Sequence, residues 1–328
     1  MRTSAIRVGL LLLAAVVWPI VVRGASDLEQ ARAAYEKGDY ATAVTLAQTV
    51  TAREPQNGEA HLLLAMTYYQ THERDRAVSS AEAAVTIDPK NSVFHEWLGR
   101  AYGEKASHAS WFTALGLAKK SRREFETAAQ LDERNFSAMQ ALIEFDCSAP
   151  SIAGGGEDKA KQEIARLFSQ DAAEGHYALG NCKRQKKDFT ISDAEFTKAL
   201  ENNPKSPNLI YDIGDYAMKQ NQPDRLFAVA QQGEKVAPAD PRGKFYRAVG
   251  HILKVEKLQE AGHMLAEYMR IAPARDNYPS AASTHYWMGR SYEAQKQFDA
   301  ARKEYLAALN LNSDDKLSKE ALKRLPKS

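Results

Sequence analysis

Pro55 and Pro89 stand 34 residues apart, Pro204 and Pro238 stand 34 apart, and Pro273 follows 35 later. The gap from Pro89 to Pro204 is 115, which is three such intervals and 13 over. A fixed period of this size marks a stacked repeat array. Each unit is then one supersecondary element that cannot bury its apolar face without its neighbours. The period constrains the fold more than length does, because 328 residues would otherwise suggest two ordinary domains. The composition, 44% hydrophobic and 26% charged, is that of a packed chain.

With each unit numbered so that its proline is position 32, two helices crossing closely require small residues at two places. Position 8 holds Ala31, Ala65, Gly99, Gly180, Gly214 and Gly289. Position 20 holds Ala43, Ala77, Ser121, Ala160, Ser192, Ala261 and Ala301. Position 27 holds Ala84, Ala128, Ala199 and Ala308, and large residues fill position 24: Phe125, Phe196, Leu265 and Tyr305. This pattern resembles the tetratricopeptide repeat family, whose unit is a helix–turn–helix. The resemblance implies an all-α, right-handed superhelical solenoid of about eight such repeats. Units are expected at 24–57, 58–91, 92–135, 136–172, 173–206, 207–241, 242–281 and 282–315, with a capping helix at 316–325. Ile143, Leu226, Val249 and Tyr268 depart from the pattern at normally small positions. The chain also looks like exported bacterial members of that family.

Residues 1–24 begin with Arg2 and Arg7 and continue with an apolar run from Val8 to Val22. Small residues at Val22 and Gly24 suit a signal-peptidase cut before Ala25, so a cleaved leader and an extracytoplasmic address, periplasmic or secreted, are expected. The alternative is an uncleaved anchor, although the run is shorter than the ~20 residues that span a bilayer. No other run is long and apolar enough to span one after cleavage. Loss of three arginines and no acid turns the net charge from +2 to −1. That balance argues against a nucleic-acid partner.

Two insertions break the period. Around Lys105–Leu115 a second helix lengthened at its front is expected, with Ser110 as its N-cap. In the fourth unit, Gly154-Gly155-Gly156 lacks the strand and the Lys-Ser/Thr of a phosphate-binding loop and reads as a turn before a helix opened by Glu157 and Asp158. His61, His95, His176 and His285 share position 4 and read as packing residues; neither metal nor cofactor is expected. Cys147 and Cys182 lie on first helices of adjacent units and read as buried free thiols, with a disulfide as the alternative. The basic runs Lys119–Arg123 and Lys183–Lys187 read as solvated helix faces.

Position 5 faces the inside of the solenoid in the family that the chain resembles. It holds Tyr177, Tyr211, Tyr246 and Tyr286 in four successive units. Tyrosine suits binding surfaces, so these rings are expected on the concave floor, with packing between first helices as the alternative. Asn181, Arg184, Asp215, Met218, Arg290 and Glu293 would stand beside them. Asn181 matches the asparagine of the family's carboxylate clamp, but Tyr177 replaces its lysine, so that activity is not inferred. Trp111 and Phe112 form a possible second surface. The expected function is a non-enzymatic scaffold that binds a protein or peptide in its groove. The rivals are an accessory or chaperone-like subunit of an envelope assembly or secretion machine, and an enzyme built on the fourth unit and its cysteines. Oligomeric state is left open.

Overall fold

The computed structural model describes residues 23–326. Residues 1–22, which hold most of the expected leader, lie outside them, and the expected cut after Gly24 falls in the first turn of α1. The described residues form seventeen α-helices and no strand. Sixteen of them pair in sequence as first and second helices: α1 (Arg23–Glu36) with α2 (Tyr40–Arg53), α3 (Gly58–Gln70) with α4 (Arg74–Ile87), and α5 (Ser92–Ser107) with α6 (Trp111–Leu131). Next come α7 (Phe136–Ser148) with α8 (Glu157–Phe168), α9 (Ala172–Gln185) with α10 (Phe189–Glu201), and α11 (Pro207–Lys219) with α12 (Pro223–Val236). The last pairs are α13 (Arg242–Lys254) with α14 (Leu258–Ile271) and α15 (Ala281–Ala294) with α16 (Phe298–Leu311). Helix α17 (Lys316–Arg324) follows, and Ala321 and Leu325 are buried against the last pair.

Local chemistry starts these helices. Asn57, Asn91, Asn135, Asp171, Ser206 and Ser280 each accept a backbone N–H of the first turn of a first helix. The turn inside a unit places Gly38, His72, Lys187, Asn221 and Lys296 in the left-handed region, at the same repeat position in five units.

Small residues then allow the crossing. A Cβ on Gly99 would lie 2.7 Å from the Phe125 ring, one on Gly180 2.7 Å from Phe196, and one on Gly289 2.5 Å from Tyr305. Position 8 is therefore the slot into which the position-24 aromatic of the same unit fits. In two units the position-20 serine also donates across the crossing: Ser121 Oγ to Gly99 O at 2.7 Å and Ser192 Oγ to Gly180 O at 2.8 Å. The departures are filled from elsewhere. Ala230 leaves position 24 empty in the sixth unit, and Gly214 packs against Tyr246 of the next one. Ile143, Leu226, Val249 and Tyr268 are all buried.

The insertions are ordered. Helix α6 is longer than its counterparts and starts after Ser110, whose hydroxyl meets Thr113 rather than a backbone amide. Arg122 is not solvated: it makes paired hydrogen bonds to the buried Asp146 at 2.8 and 3.0 Å, tying α6 to α7. Lys119, Lys120 and Arg123 are exposed. The glycine-rich stretch folds as a short 3-10 turn (Ser151–Ala153) before α8, with Gly154 in the left-handed region.

The cysteines correct the expectation of free thiols. Cys147 on α7 and Cys182 on α9 form a disulfide, with Cα atoms 5.5 Å apart. Helix axes ~8–10 Å apart do not forbid this, because Cα atoms on facing sides each stand about 2.3 Å off their own axis.

Candidate functional site: the first-helix groove and its strap

First helices pack on first helices from α1 to α3, α5, α7 and α9, and again from α11 to α13 and α15. Among second helices, comparable packing joins α10 to α12. The array is thus drawn together on its first-helix side, which becomes the inner wall.

The tyrosine column does not line that wall as a free floor. Tyr211, Tyr246 and Tyr286 are 2%, 1% and 6% exposed, which corrects the expectation that they stand open. Tyr211 and Tyr246 stack with centroids 5.6 Å apart, and Tyr286 meets Trp287 and Tyr305 at 5.2 and 5.9 Å. Their rings occupy space left by glycines: Tyr211 reaches Gly233, and Tyr246 reaches Gly214. Three of the four hydroxyls are spent on neighbours, and the buried Tyr211 hydroxyl has no hydrogen-bond partner among the described residues. Tyr177 donates to Asp212 at 2.9 Å and Tyr246 to Asp215 at 2.7 Å. Burial, reinforced by the charge of each acid, holds both phenols far above their usual range. Among the expected companions, Asn181 is buried and Met218 packs on the core. Arg290 lies over Trp287 and donates to the Tyr286 hydroxyl, and Glu293 pairs with Arg324 of the cap. Arg184 is half-buried, 3.4 Å from Asp212 of the next first helix.

A different set of residues forms the open wall. Tyr69 of α3 meets Trp97 of α5 edge-on at 5.7 Å, and Arg100 lies over Trp97 at 5.7 Å. Glu144 of α7 is solvent-exposed, yet desolvation raises its carboxyl above the ordinary range. Arg184, Asp212 and Arg100 act on the same carboxyl. An exposed group that is nonetheless poorly solvated stands between walls of protein. Charges from α5, α9 and α11 are therefore within electrostatic reach of this α7 carboxyl, and Arg100 and Glu144 are within reach of the Tyr69 hydroxyl.

One end of the first-helix groove is occupied by the chain itself. The link between α14 and α15, residues 272–280, is the longest connection between units. Its base is fixed by Tyr268, which donates to Pro279 O at 2.8 Å. Its tip reaches the other end of the array. Tyr40 donates to Ala274 O at 2.9 Å, the Asp276 amide donates to Gln70 Oε1 at 3.3 Å, and Arg275 pairs with Glu36. The Arg275 guanidinium also lies 5.1 Å from the Tyr35 ring centroid. Farther along, Arg242 donates to Asn277 O at 3.0 Å and is held between the rings of Tyr211 and Tyr278, each at 4.4 Å. Asn277 donates to Asn208 Oδ1 at 3.2 Å. This strap ties the first and second units to the sixth and seventh across the first-helix face.

The position-4 histidines have a role that periodicity does not reveal. His95, His176 and His285 each pair with a glutamate of the same unit, Glu124, Glu195 and Glu304, at 2.7, 2.7 and 2.6 Å. A glutamate one residue before the position-24 aromatic is the signal available in the sequence. At the insertion, Trp111 and Phe112 are 67% and 87% exposed.

Three tetratricopeptide repeat models match the chain, at residues 28–92, 173–206 and 282–315. Among curated proteins, none matches. Solved structures resemble the fold. A thermophilic repeat protein of Thermus thermophilus is 21% identical over 57% of this chain and 94% of that one, with a TM-score of 0.47. A repeat protein from Parabacteroides merdae is 14% identical over 92% and 97%, with a TM-score of 0.40. A chain of the APC/C Cut9–Hcn1 hetero-tetramer is 14% identical over 93% of this chain and 57% of its own length, with a TM-score of 0.50.

Proposed function

The chain belongs to the tetratricopeptide repeat family, and from that premise we propose that it is a non-enzymatic scaffold of the cell envelope that binds a protein partner in its first-helix groove. Repeats of this family mediate protein–protein interaction; the groove and the envelope are the finer reading. The observation that carries the groove is the convergence of Arg100, Glu144, Arg184 and Asp212, from four successive first helices, above Tyr69 and Trp97. Mixed charge over aromatic side chains suits a peptide with alternating polar and apolar contacts at repeat spacing. Two features support an extracytoplasmic address: the basic-then-apolar pattern of residues 1–24, and a disulfide between first helices, a bond that persists in oxidising compartments.

The test is capture of a partner from envelope extract by the wild-type chain and by a folded variant carrying Arg100→Glu and Glu144→Lys. Loss of the partner by the variant supports the groove. Equal retention sinks it. A second reading has its own observation: the chain would be an accessory or chaperone-like subunit of an envelope assembly or secretion machine, docked through the exposed Trp111–Phe112 pair. Under that reading Trp111→Ser with Phe112→Ser loses the partner and the groove variant keeps it.

A further inference from the structure

We infer that the strap is a built-in occupant of one end of the groove, and that the partner's binding segment replaces it there. This rests on the groove reading above and names the chemistry of the segment. Three of the strap's contacts with residues outside the link are made to its backbone: Tyr40 to Ala274 O, Gln70 from the Asp276 amide, and Arg242 to Asn277 O. Side chains that read a backbone accept any sequence able to take the same shape. Two strap side chains supply the selectivity. Arg275 meets Glu36 and the Tyr35 ring, and Tyr278 closes the other face of Arg242. The Tyr278 amide donates to Arg275 O at 3.0 Å, so the two side chains are presented by one tight turn. The replacing segment is therefore a turn-forming stretch of protein with a basic residue followed, three residues on, by an aromatic one.

Gly38 shows how closely the strap is seated. His72, Lys187, Asn221 and Lys296 adopt the same left-handed conformation at the same repeat position, so conformation alone does not demand glycine. At Gly38 strap backbone comes near: a Cβ there would lie 2.9 Å from the Ala274 nitrogen and 2.9 Å from its oxygen.

Because the strap is tethered, its effective concentration is on the order of millimolar, and a free segment must compete with that. The test uses a fluorescent peptide of residues 272–280 as the probe, titrated to millimolar concentration. The receptors are the wild-type protein and a variant whose residues 274–278 are replaced by glycine and serine, checked for fold by circular dichroism. Expected is saturable binding to the variant and at least tenfold weaker binding to wild type. The peptide with Arg275→Glu should lose at least tenfold, and Glu36→Arg in the receptor should restore it. Should the replacement not fold, Gln70→Ala with Glu36→Arg loosens the strap and serves as receptor for the Arg275→Glu peptide. Absent binding to a folded receptor, equal binding to wild type, or indifference to the charge swap overturns the inference. A partner captured through Arg100 and Glu144 while the peptide fails would leave the groove standing and remove the strap from it.

Discussion

Gly38 lies against the backbone of Ala274, so closely that a single methyl group on Gly38 would stand 2.9 Å from the Ala274 amide nitrogen. The first and seventh units are thereby in direct contact, which nearest-neighbour stacking along an array does not require. Replacing Gly38 by Ala adds a Cβ in the left-handed region at about 1–2 kcal/mol and also displaces the strap. The expected outcome is faster amide exchange over residues 272–280 with unchanged exchange in α9 and α10. Unchanged strap protection would mean that the contact carries no weight.

The slots beneath the aromatic rings predict a paired effect. Gly180→Ala should destabilise the fifth unit by about 1–3 kcal/mol, because the added methyl overlaps the Phe196 ring. Phe196→Leu alone should cost about 1 kcal/mol, and the double variant should cost less than the sum. Urea unfolding followed by local exchange checks this better than one global midpoint, since arrays lose two-state behaviour.

The buried pair of His95 and Glu124 predicts a bell-shaped dependence on pH. The hydrogen bond to Glu124 raises the His95 pKa above its ordinary 6.5. That contribution is complete below 6.5 and is lost as pH rises through the folded value. Burial raises the Glu124 pKa, but the His95 and Arg123 bonds and charges outweigh it and hold the carboxyl below 4.5. That contribution is complete above 4.5 and is lost as pH falls through the folded value. Local stability of the third unit should therefore peak between 4.5 and 6.5. His95→Gln should remove about 1–2 kcal/mol there and flatten the alkaline limb.

The disulfide closes a chain separation of 35 residues. Loop entropy assigns such a bond about 3–4 kcal/mol, with measured values commonly lower. Reduction, or Cys147→Ala with Cys182→Ala, should open α7 to α9 to exchange by about 2–4 kcal/mol while the distant α15 and α16 stay protected.

What can be read from residue order is what repeats within one unit. Gly99 with Phe125 and Gly180 with Phe196 are contacts inside a helix pair, so spacing alone identifies them. Helix α6 and the capping α17 are legible for the same reason. The tyrosine column is visible, but not its direction. Whether Tyr246 faces the groove or fills the hollow at Gly214 depends on Ala230 being small in the preceding unit, a three-dimensional compensation. For Cys147 and Cys182, axis spacing misleads, because facing positions decide whether two thiols meet. The strap is illegible because its partners, Glu36, Gln70 and Asn208, lie in other units. Its trace in the sequence is the length of unit 242–281 and the run between Pro273 and Pro279.

On the function proposed above, the partner lies in the first-helix groove. The direct measurement places a photo-crosslinking residue at Glu144, on the groove wall, or at Lys303, exposed on the second helix α16, and illuminates intact cells. A discrete protein adduct is expected from position 144 and none from position 303. An adduct from 303 with none from 144 would place the partner outside the groove.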